Sequence, residues 1–599
     1  MKNKLALPLV MAAAASAAAP ASSQEAVNEL ETIIVYGTRT ISEATRDTIS
    51  INTIDLSGSS TSDIYEATQG AAGLNVVRSG ARGQITSVFT RGTDSDQTGL
   101  SLNGVSIVDS STPNSAIDLG IHSLVGIGSI EVMRGPQSVM YGSGAIGGNI
   151  NLNSTPTLGS SISQTFGSNG LNITNLTIGE VVGDRTIVNL ELEKESRDGP
   201  SALVAGTEDD PFESTGFALS QETELDNGFV FFTGIIQNKN DISYDGTTGE
   251  EEYTGDVTFQ NLQTSLTSDN TRIVLNRAIH DRQYTEPYAA SQWAPAGLRT
   301  AEYDSVVNTA QAEHTLNVFP PLDLTFGGEI KDSEGKFVSA YGDKLNATRL
   351  ERGVYGTLSY SINQDVLVTG SVRLDDSDDF GTHDSTRIGI GAYGFRASYS
   401  DGYRLPSLYE MHGQGAWVSG NPNLNPETSK SVEIGYGNDM FDISAYRIMT
   451  NNTINADYAN GTYINSDGEE ESYGAELVTN HTLGMLTINN VIGYNESYDA
   501  DGEQRLRRPE WMHTIKVSTD VGETNVYGTM NYFGAHTDYN WPNAIDVDAA
   551  RTFNIGANRD FGNVRVSARV DNITDVKYER PFGYGQDGRV FSLTGTYKF

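Results

Sequence analysis

The sequence predicts a mostly β protein in two parts: a compact N-terminal mixed α/β unit, then a long succession of antiparallel strands. Three observations carry that expectation. From about residue 158 to residue 599, apolar and polar residues alternate with period two between turn signals, without helical periodicity. No later segment offers the ~20 apolar residues of a membrane-spanning helix, and mean hydropathy is −0.35. The chain carries 28 Tyr and 20 Phe against 4 Trp, with 63 Gly for turns. Low hydropathy does not exclude a membrane protein, because only alternate residues of a transmembrane β-barrel face lipid. A soluble β-sandwich has the same period, so alternation alone leaves sandwich and barrel both open.

The elements follow in order. Residues 1–23 read as a secretory signal, with charge at Lys2 and Lys4, an apolar stretch from Leu5 to Ala19, and small residues from Ala19 to Ser23. The absence of cysteine rules out a disulfide framework or thiolate metal site and suits export through an oxidising compartment. A net charge of −38 argues against nucleic acid, whose phosphates need clustered Lys and Arg. It fits a surface that holds divalent cations, or one kept solvated in salt. Residues 24–43 form a polar stretch containing ETIIVYG (Glu31, Thr32, Ile33, Ile34, Val35, Tyr36, Gly37). That β-prone run can add as a strand to the edge of a partner's sheet, or serve as an ordinary first strand of the next unit.

Residues 44–154 form the mixed unit. A helix is expected from Asp63 to Gly70, capped by the Ser62 hydroxyl. Short strands at Val88–Phe89, Leu100–Leu102, Ile130–Met133 and Ile150–Leu152 alternate with turns at Arg91-Gly92, Asn103-Gly104 and Arg134-Gly135-Pro136. Gly142, Gly144 and Gly147 spell G-x-G-x-x-G, but a dinucleotide site needs the glycines to follow a strand and open a helix, and here a strand follows them. They read as tight turns.

The barrel-forming pattern is clearest late in the chain. Phe591, Leu593, Tyr597 and Phe599 oppose Ser592, Thr594, Thr596 and Lys598. Val564, Val566, Ala568 and Val570 oppose Arg565, Ser567 and Arg569; Val366, Val368, Val372 and Leu374 oppose Thr369, Ser371 and Arg373. An acidic cluster lies in two neighbouring segments: Asp198 with Glu208, Asp209 and Asp210, and Tyr244-Asp245 with Asp256 eleven positions on. Ca²⁺ takes six to eight oxygen ligands in irregular geometry, so gathered carboxylates suit it; a solvated acidic loop is the plain alternative. No H-E-x-x-H, Ser-His-Asp or Cys-His arrangement is present, so no catalytic set or catalytic cofactor is expected.

The blocks SGARGQITSVFTRGT (79–93), LSLNGVSI (100–107) and IEVMRGPQSVMYGSGAIGGNINL (130–152) resemble the plug domain of TonB-dependent outer-membrane receptors, most closely the BtuB-type cobalamin (vitamin B12) receptors. The terminal Phe599 resembles the assembly signal of outer-membrane proteins. The resemblance implies a 22-stranded antiparallel transmembrane β-barrel over residues 158–599, with the plug (44–154) in its lumen. About 440 residues over 22 strands leave ~20 per strand and connector.

It further implies a monomer in the Gram-negative outer membrane, contacting lipid, importing a corrinoid and energised by TonB through a TonB box at residues 31–37. Related receptors lock plug to barrel with an Arg/Glu cluster, here Arg91, Arg134, Glu433 and Glu476. Cobalamin receptors order their loops with calcium, which places metal ligands at Asp198, Glu208, Asp209, Asp210, Tyr244, Asp245 and Asp256. Ligand positions carried over are Ile85, Ser87, Asp94, Thr112 and Pro113 on the plug and Arg507 and Tyr539 on the barrel; Asp94 stands where the family has an amide. His412, between YRLP and NPNL, resembles the haem ligand of related haem receptors, so haem or a ferric siderophore is the alternative cargo.

Overall fold

The computed structural model describes residues 48–56, 61, 63–245, 252–288, 297–540 and 542–599. The expected leader, the 31–37 segment and Ser62 lie outside the described residues. The plug elements are β1 (Ile51–Asp55), α1 (Ile64–Thr68), β2 (Leu74–Arg78), β3 (Thr86–Thr90), β4 (Thr98–Leu102), β5 (Val105–Ser106), β6 (Ser129–Arg134), α2 (Ser138–Tyr141) and β7 (Gly148–Asn153). They build a mixed sheet in the order β1-β6-β7-β4-β5, in which β4 runs parallel to β7, beside a β2–β3 hairpin. Gly142 and Gly144 take φ of +73° and +93° in the turn between α2 and β7, so helix, turn and strand come in the order that a nucleotide fingerprint forbids.

Helix α1 is shorter than expected and has a different cap. Asp63, not Ser62, is its N-cap, and its carboxylate accepts from Tyr65 N at 2.9 Å. The helix stops before Gly70 because the chain there turns left-handed (φ +78°) against the wall, where a Cβ would come within 2.6 Å of Thr514 Oγ1.

Twenty-two strands close a barrel from Gly159–Gly167 to Val590–Lys598, and these two strands pair antiparallel, Ser592 opposite Gly167 through Lys598 opposite Ser161. Along each strand the alternation is inverted relative to a soluble protein. Val372 and Leu374 are 48% and 47% exposed on the outside, while Arg373 and Asp375 beside them are 2% and 5% exposed inside. Phe591, Leu593, Tyr597 and Phe599 are likewise exposed. Apolar outside and polar inside is the pattern of a strand facing lipid and a wet or protein-filled lumen. Short turns such as Gly522–Glu523 join strands at one end, and long connections such as 405–426 and 572–589 at the other; in such barrels the short turns are periplasmic.

Two kinds of contact hold the plug in the lumen. On one side the plug core (Ile64, Val88, Leu100, Ile130, Ile150) is continuous with Ala218, Ile236, Phe259 and Ala278 of the wall. On the other the contact is ionic. Arg91 Nε and Nη2 donate to the two carboxylate oxygens of Glu476 at 3.0 and 2.9 Å, and its Nη1 donates to Glu433 Oε2 at 2.6 Å. Arg134 pairs with the same Glu476 carboxylate, and the Arg91 guanidinium lies 4.2 Å from the Tyr446 ring centroid. All four charged side chains are buried. Burial works against the Arg91 charge, but the Glu476 and Glu433 carboxylates outweigh it and hold the proton more tightly than usual. Arg91 has φ +51°, and Ser472 Oγ and Asn495 Nδ2 both donate to its carbonyl oxygen, so the backbone is gripped along with the side chain.

Removing one side of a buried ion pair strands the other charge, at a cost of about 3–5 kcal/mol. The Glu433→Ala/Glu476→Ala variant should therefore melt at lower temperature and admit small solutes in a liposome-swelling assay. Parental melting and permeability in that variant would show that the pairs do not hold the plug.

Candidate functional site

The long-loop end of the barrel carries the candidate ligand surface. Ile85 sits at the tip of the β2–β3 hairpin and is 61% exposed, with half-buried Ser87 following it. The hairpin is closed by Ser79 N donating to Ile85 O at 3.0 Å, which pushes the Ile85 side chain outward. Across the mouth, Arg507 donates from Nε to Asp538 Oδ1 at 2.8 Å, and the neighbouring Tyr539 is 46% exposed. Thr112 and Pro113 are tied down: Thr112 Oγ1 donates to Asp109 O at 3.1 Å, and Pro113 O accepts from Ser407 Oγ. Asp94 is committed to the barrel, its carboxylate taking Arg505 and Arg508 on separate oxygens. Burial would raise the Asp94 carboxyl, but the two guanidinium groups outweigh it and hold it below its ordinary value. Each carboxylate oxygen meets its own guanidinium, which a neutral amide would not match in charge.

Two further charge clusters bind plug to wall, and the sequence reading missed both. Around Asp96, Arg404 pairs with Glu427 at 2.7 Å and Glu410 at 3.1 Å, and Arg404 Nη2 lies 3.4 Å from Asp96 itself. Under α1, Asp63 receives Arg78 and, at 3.3 Å, Arg82, whose Nε lies 3.6 Å from Glu195 of the wall. Burial would raise the Asp63 carboxyl; Arg82 and Arg78 bring it down to about 2. The run Arg505-Leu506-Arg507-Arg508 was a usable signal for the Asp94 contacts, not for the Asp96 cluster. Nothing local announced the second, because Glu195 of the wall stands more than 100 residues from Asp63, Arg78 and Arg82.

Among the described residues, Glu208, Asp210 and Asp245 form the group of acidic side chains able to share a metal, with ligand oxygens within 4.8 Å of one another. The loop that presents them is folded onto Asp245: Ser201 Oγ donates to Asp245 Oδ2 at 3.0 Å and to Glu208 Oε1 at 3.1 Å. Leu203 N donates to Asp245 Oδ2 and Ala202 N to Asp210 Oδ2, each at 2.7 Å. Asp245 Oδ1 is buried with no hydrogen-bond partner. Burial, then the charges on Asp245 and Glu208, push the Asp210 carboxyl up to about 7. Three carboxylates this close repel unless a cation joins them, and an oxygen-only set of irregular geometry suits a hard divalent ion.

The other expected ligands stand outside this group. Asp198 packs on the turn at Gly170, and Asp209 is exposed between its two clustered neighbours. The Tyr244 ring sits edge-on to Tyr253 and Tyr284 at 5.5 and 5.8 Å. Asp256 is exposed between buried Gly255 and Val257, so strand alternation turns it to the outer face, opposite Asp241. His412 ends the helix Leu408–His412, which a Ser407/Glu410 capping box starts, and it is exposed.

The family model described as "TonB dependent receptor-like, beta-barrel" matches residues 143–573, and the "TonB-dependent Receptor Plug Domain" model matches residues 40–149. The chain is 24% identical over 95% of its length to the vitamin B12 transporter BtuB of Vibrio cholerae serotype O1, covering 95% of that protein. Among solved structures it is similar to the siderophore receptor PirA from Acinetobacter baumannii, with TM-score 0.75 and 16% identity over 92% of this chain and 99% of that one. The ferric yersiniabactin uptake receptor FyuA from Yersinia pestis has TM-score 0.71 and 15% identity over 93% of this chain and 98% of that one. At these identities the solved structures speak for the fold alone. The plug, the closed 22-strand barrel and the matched family models together make this chain a member of the TonB-dependent receptors of the outer membrane.

Proposed function

We propose that this receptor imports cobalamin or a related corrinoid, drawing energy from TonB through the segment Glu31 to Gly37. The observation that carries the reading is the end-to-end likeness to a vitamin B12 transporter, 95% of both chains. The acidic triad supports it. Glu208, Asp210 and Asp245 would hold calcium, and the buried, unpartnered Asp245 Oδ1 is the oxygen that such an ion would satisfy. The ion would supply positive charge that fixes the 198–211 loop over the mouth, so that a ligand need not bear the ordering cost. Haem or a ferric siderophore is the competing cargo; for haem, an exposed His412 on a one-turn helix is thin support.

Equilibrium binding of cyanocobalamin, haemin and ferric siderophores to the purified receptor tests the cargo. Cyanocobalamin should bind tightest, EDTA should weaken it about tenfold or more, and Ca²⁺ should restore it. Mg²⁺ should restore it poorly, since it demands octahedral geometry and sheds water reluctantly. Asp245→Asn should remove the Ca²⁺ effect while leaving the fold intact; binding indifferent to EDTA and to this change would exclude the calcium site. Separately, Ile34→Pro removes a backbone N–H that strand addition requires. Cyanocobalamin binding should then persist while energised uptake is lost, and parental uptake by this variant would refute the TonB-box assignment.

A further inference from the structure

The plug does not fill the barrel evenly. Against the wall strands from Phe212–Glu224 to Thr271–Tyr288 it packs apolar side chains, and against Glu427–Gly437 and Glu469–Leu483 it is held by buried ion pairs. Against the strands between Trp511 and Lys598 it stands off, leaving a cavity of about 590 Å³. The others described between plug and wall are about 80 Å³ or smaller.

The cavity is a groove running the height of the barrel. Its lining includes Asn572 and Asp587 of the 572–589 connection at the long-loop end. It also includes Ser518 and Asn525, which flank the short turn at Gly522–Glu523 at the opposite end. The wall between is made largely of neutral amides and hydroxyls, among them Tyr527, Thr529, Asn531, Asn554, Asn558 and Thr594, with Lys516, Arg569 and Asp571 as charged members. Two ion pairs join plug and barrel across the groove: Glu66 Oε2 of α1 to Arg569 Nη1 of the wall at 3.0 Å, and the longer Arg78 Nη2 to Asp587 Oδ2 at 3.9 Å. Unlike the buried pairs elsewhere, the Glu66 and Arg569 side chains are 32% and 25% exposed, so water weakens their pairing.

A translocation path must bind well enough to admit a solute and weakly enough, at many sites, to release it. A ladder of neutral donors and acceptors meets that condition, whereas the charged seams do not. We propose that this groove is the route of transport, that it passes an uncharged molecule rich in amide and hydroxyl groups, and that the Glu66–Arg569 pair is its cross-bar. The inference rests on the import function proposed above, and a corrinoid with its peripheral amides belongs to the class. Widening the groove displaces the α1 side of the plug, including the Asp63–Arg82–Glu195 contacts, and leaves the Arg91 and Arg134 seam in place.

The chain has no cysteine, so single thiols report on the groove without background. In the folded receptor, Thr529→Cys and Asn558→Cys should react to completion with N-ethylmaleimide, a small neutral probe, and adding Glu66→Gln should speed that reaction at least threefold. Cells whose Thr529→Cys receptor carries a bulky fluorescein maleimide should lose cyanocobalamin uptake at least tenfold while equilibrium binding stays within twofold. The same label on Asp501→Cys, an exposed external position, should leave uptake within twofold of the parent. Thiols at 529 and 558 that resist N-ethylmaleimide, or full labelling with uptake intact, would overturn the route, and a reaction rate indifferent to Glu66→Gln would overturn the cross-bar. A parent receptor that neither binds nor imports cyanocobalamin would instead refute the corrinoid reading, and the N-ethylmaleimide reactivity then decides the groove by itself.

Discussion

Inside a bilayer no water is available to the backbone, so every N–H and C=O of a membrane-crossing strand must be paired within the protein, and only a sheet closed on itself leaves no edge. The pairing of Val590–Lys598 with Gly159–Gly167 meets that requirement, and Phe599 N extends it by donating to Ser160 O at 2.9 Å. Closure decides what each face of a strand can be. The outward face meets lipid and is built from residues such as Val372, Leu374 and Phe591. The inward face meets a protein plug and water, and so can carry charge. An open lumen lined in this way would leak, which makes a fitted plug a consequence of the barrel's size.

The chemistry of the plug–wall contact follows from that polar lumen. The buried cations among the described residues are arginines, including Arg82, Arg91, Arg134, Arg373 and Arg404, with no lysine. A planar guanidinium can divide its donors between two carboxylates, as Arg91 does between Glu476 and Glu433, and it is less strongly hydrated than an ammonium. Each pair still carries a desolvation cost, so such contacts serve register more than stability. The clusters at Arg91, at Asp96 and at Asp63 therefore fix the plug's rotation in a lumen whose apolar contacts alone would allow it to slip.

How much of this was legible in the sequence depended on how local the signal was. Period-two alternation marked Val366–Leu374 and Phe591–Phe599 as strands, because side-chain direction is a property of consecutive residues. The meeting of Arg91 and Arg134 with Glu433 and Glu476 followed from family motifs, since no local rule connects positions more than 340 residues apart. Two expectations gave way to tertiary context. The cap of α1 moved from Ser62 to Asp63 because that carboxylate also serves the buried Arg78 and Arg82, and the helix ended early because the wall at Thr514 leaves no room beyond Gly70. The acidic cluster narrowed to Glu208, Asp210 and Asp245 because strand alternation turns Asp256 outward, a direction that its spacing from Asp245 does not encode.

The distribution of charge separates three tasks within one chain. At the long-loop end, Glu208, Asp210 and Asp245 face one another, and their mutual repulsion makes that loop's geometry sensitive to positive charge. Within the lumen, Arg and Glu are matched and buried, which makes those contacts specific in position. Along the strands between Trp511 and Lys598 the wall is mostly neutral and hydrogen-bonding, with Lys516, Arg569 and Asp571 its charged members, and the Glu66–Arg569 pair across the cavity is wet. A force applied from the periplasmic side would meet the dry Arg91 and Arg134 seam on one flank of the plug, and on the other the wet Glu66–Arg569 pair beside the buried Asp63 cluster. The plug is therefore expected to yield first at its wet pair, Glu66–Arg569, by the same electrostatics that hold it in register elsewhere.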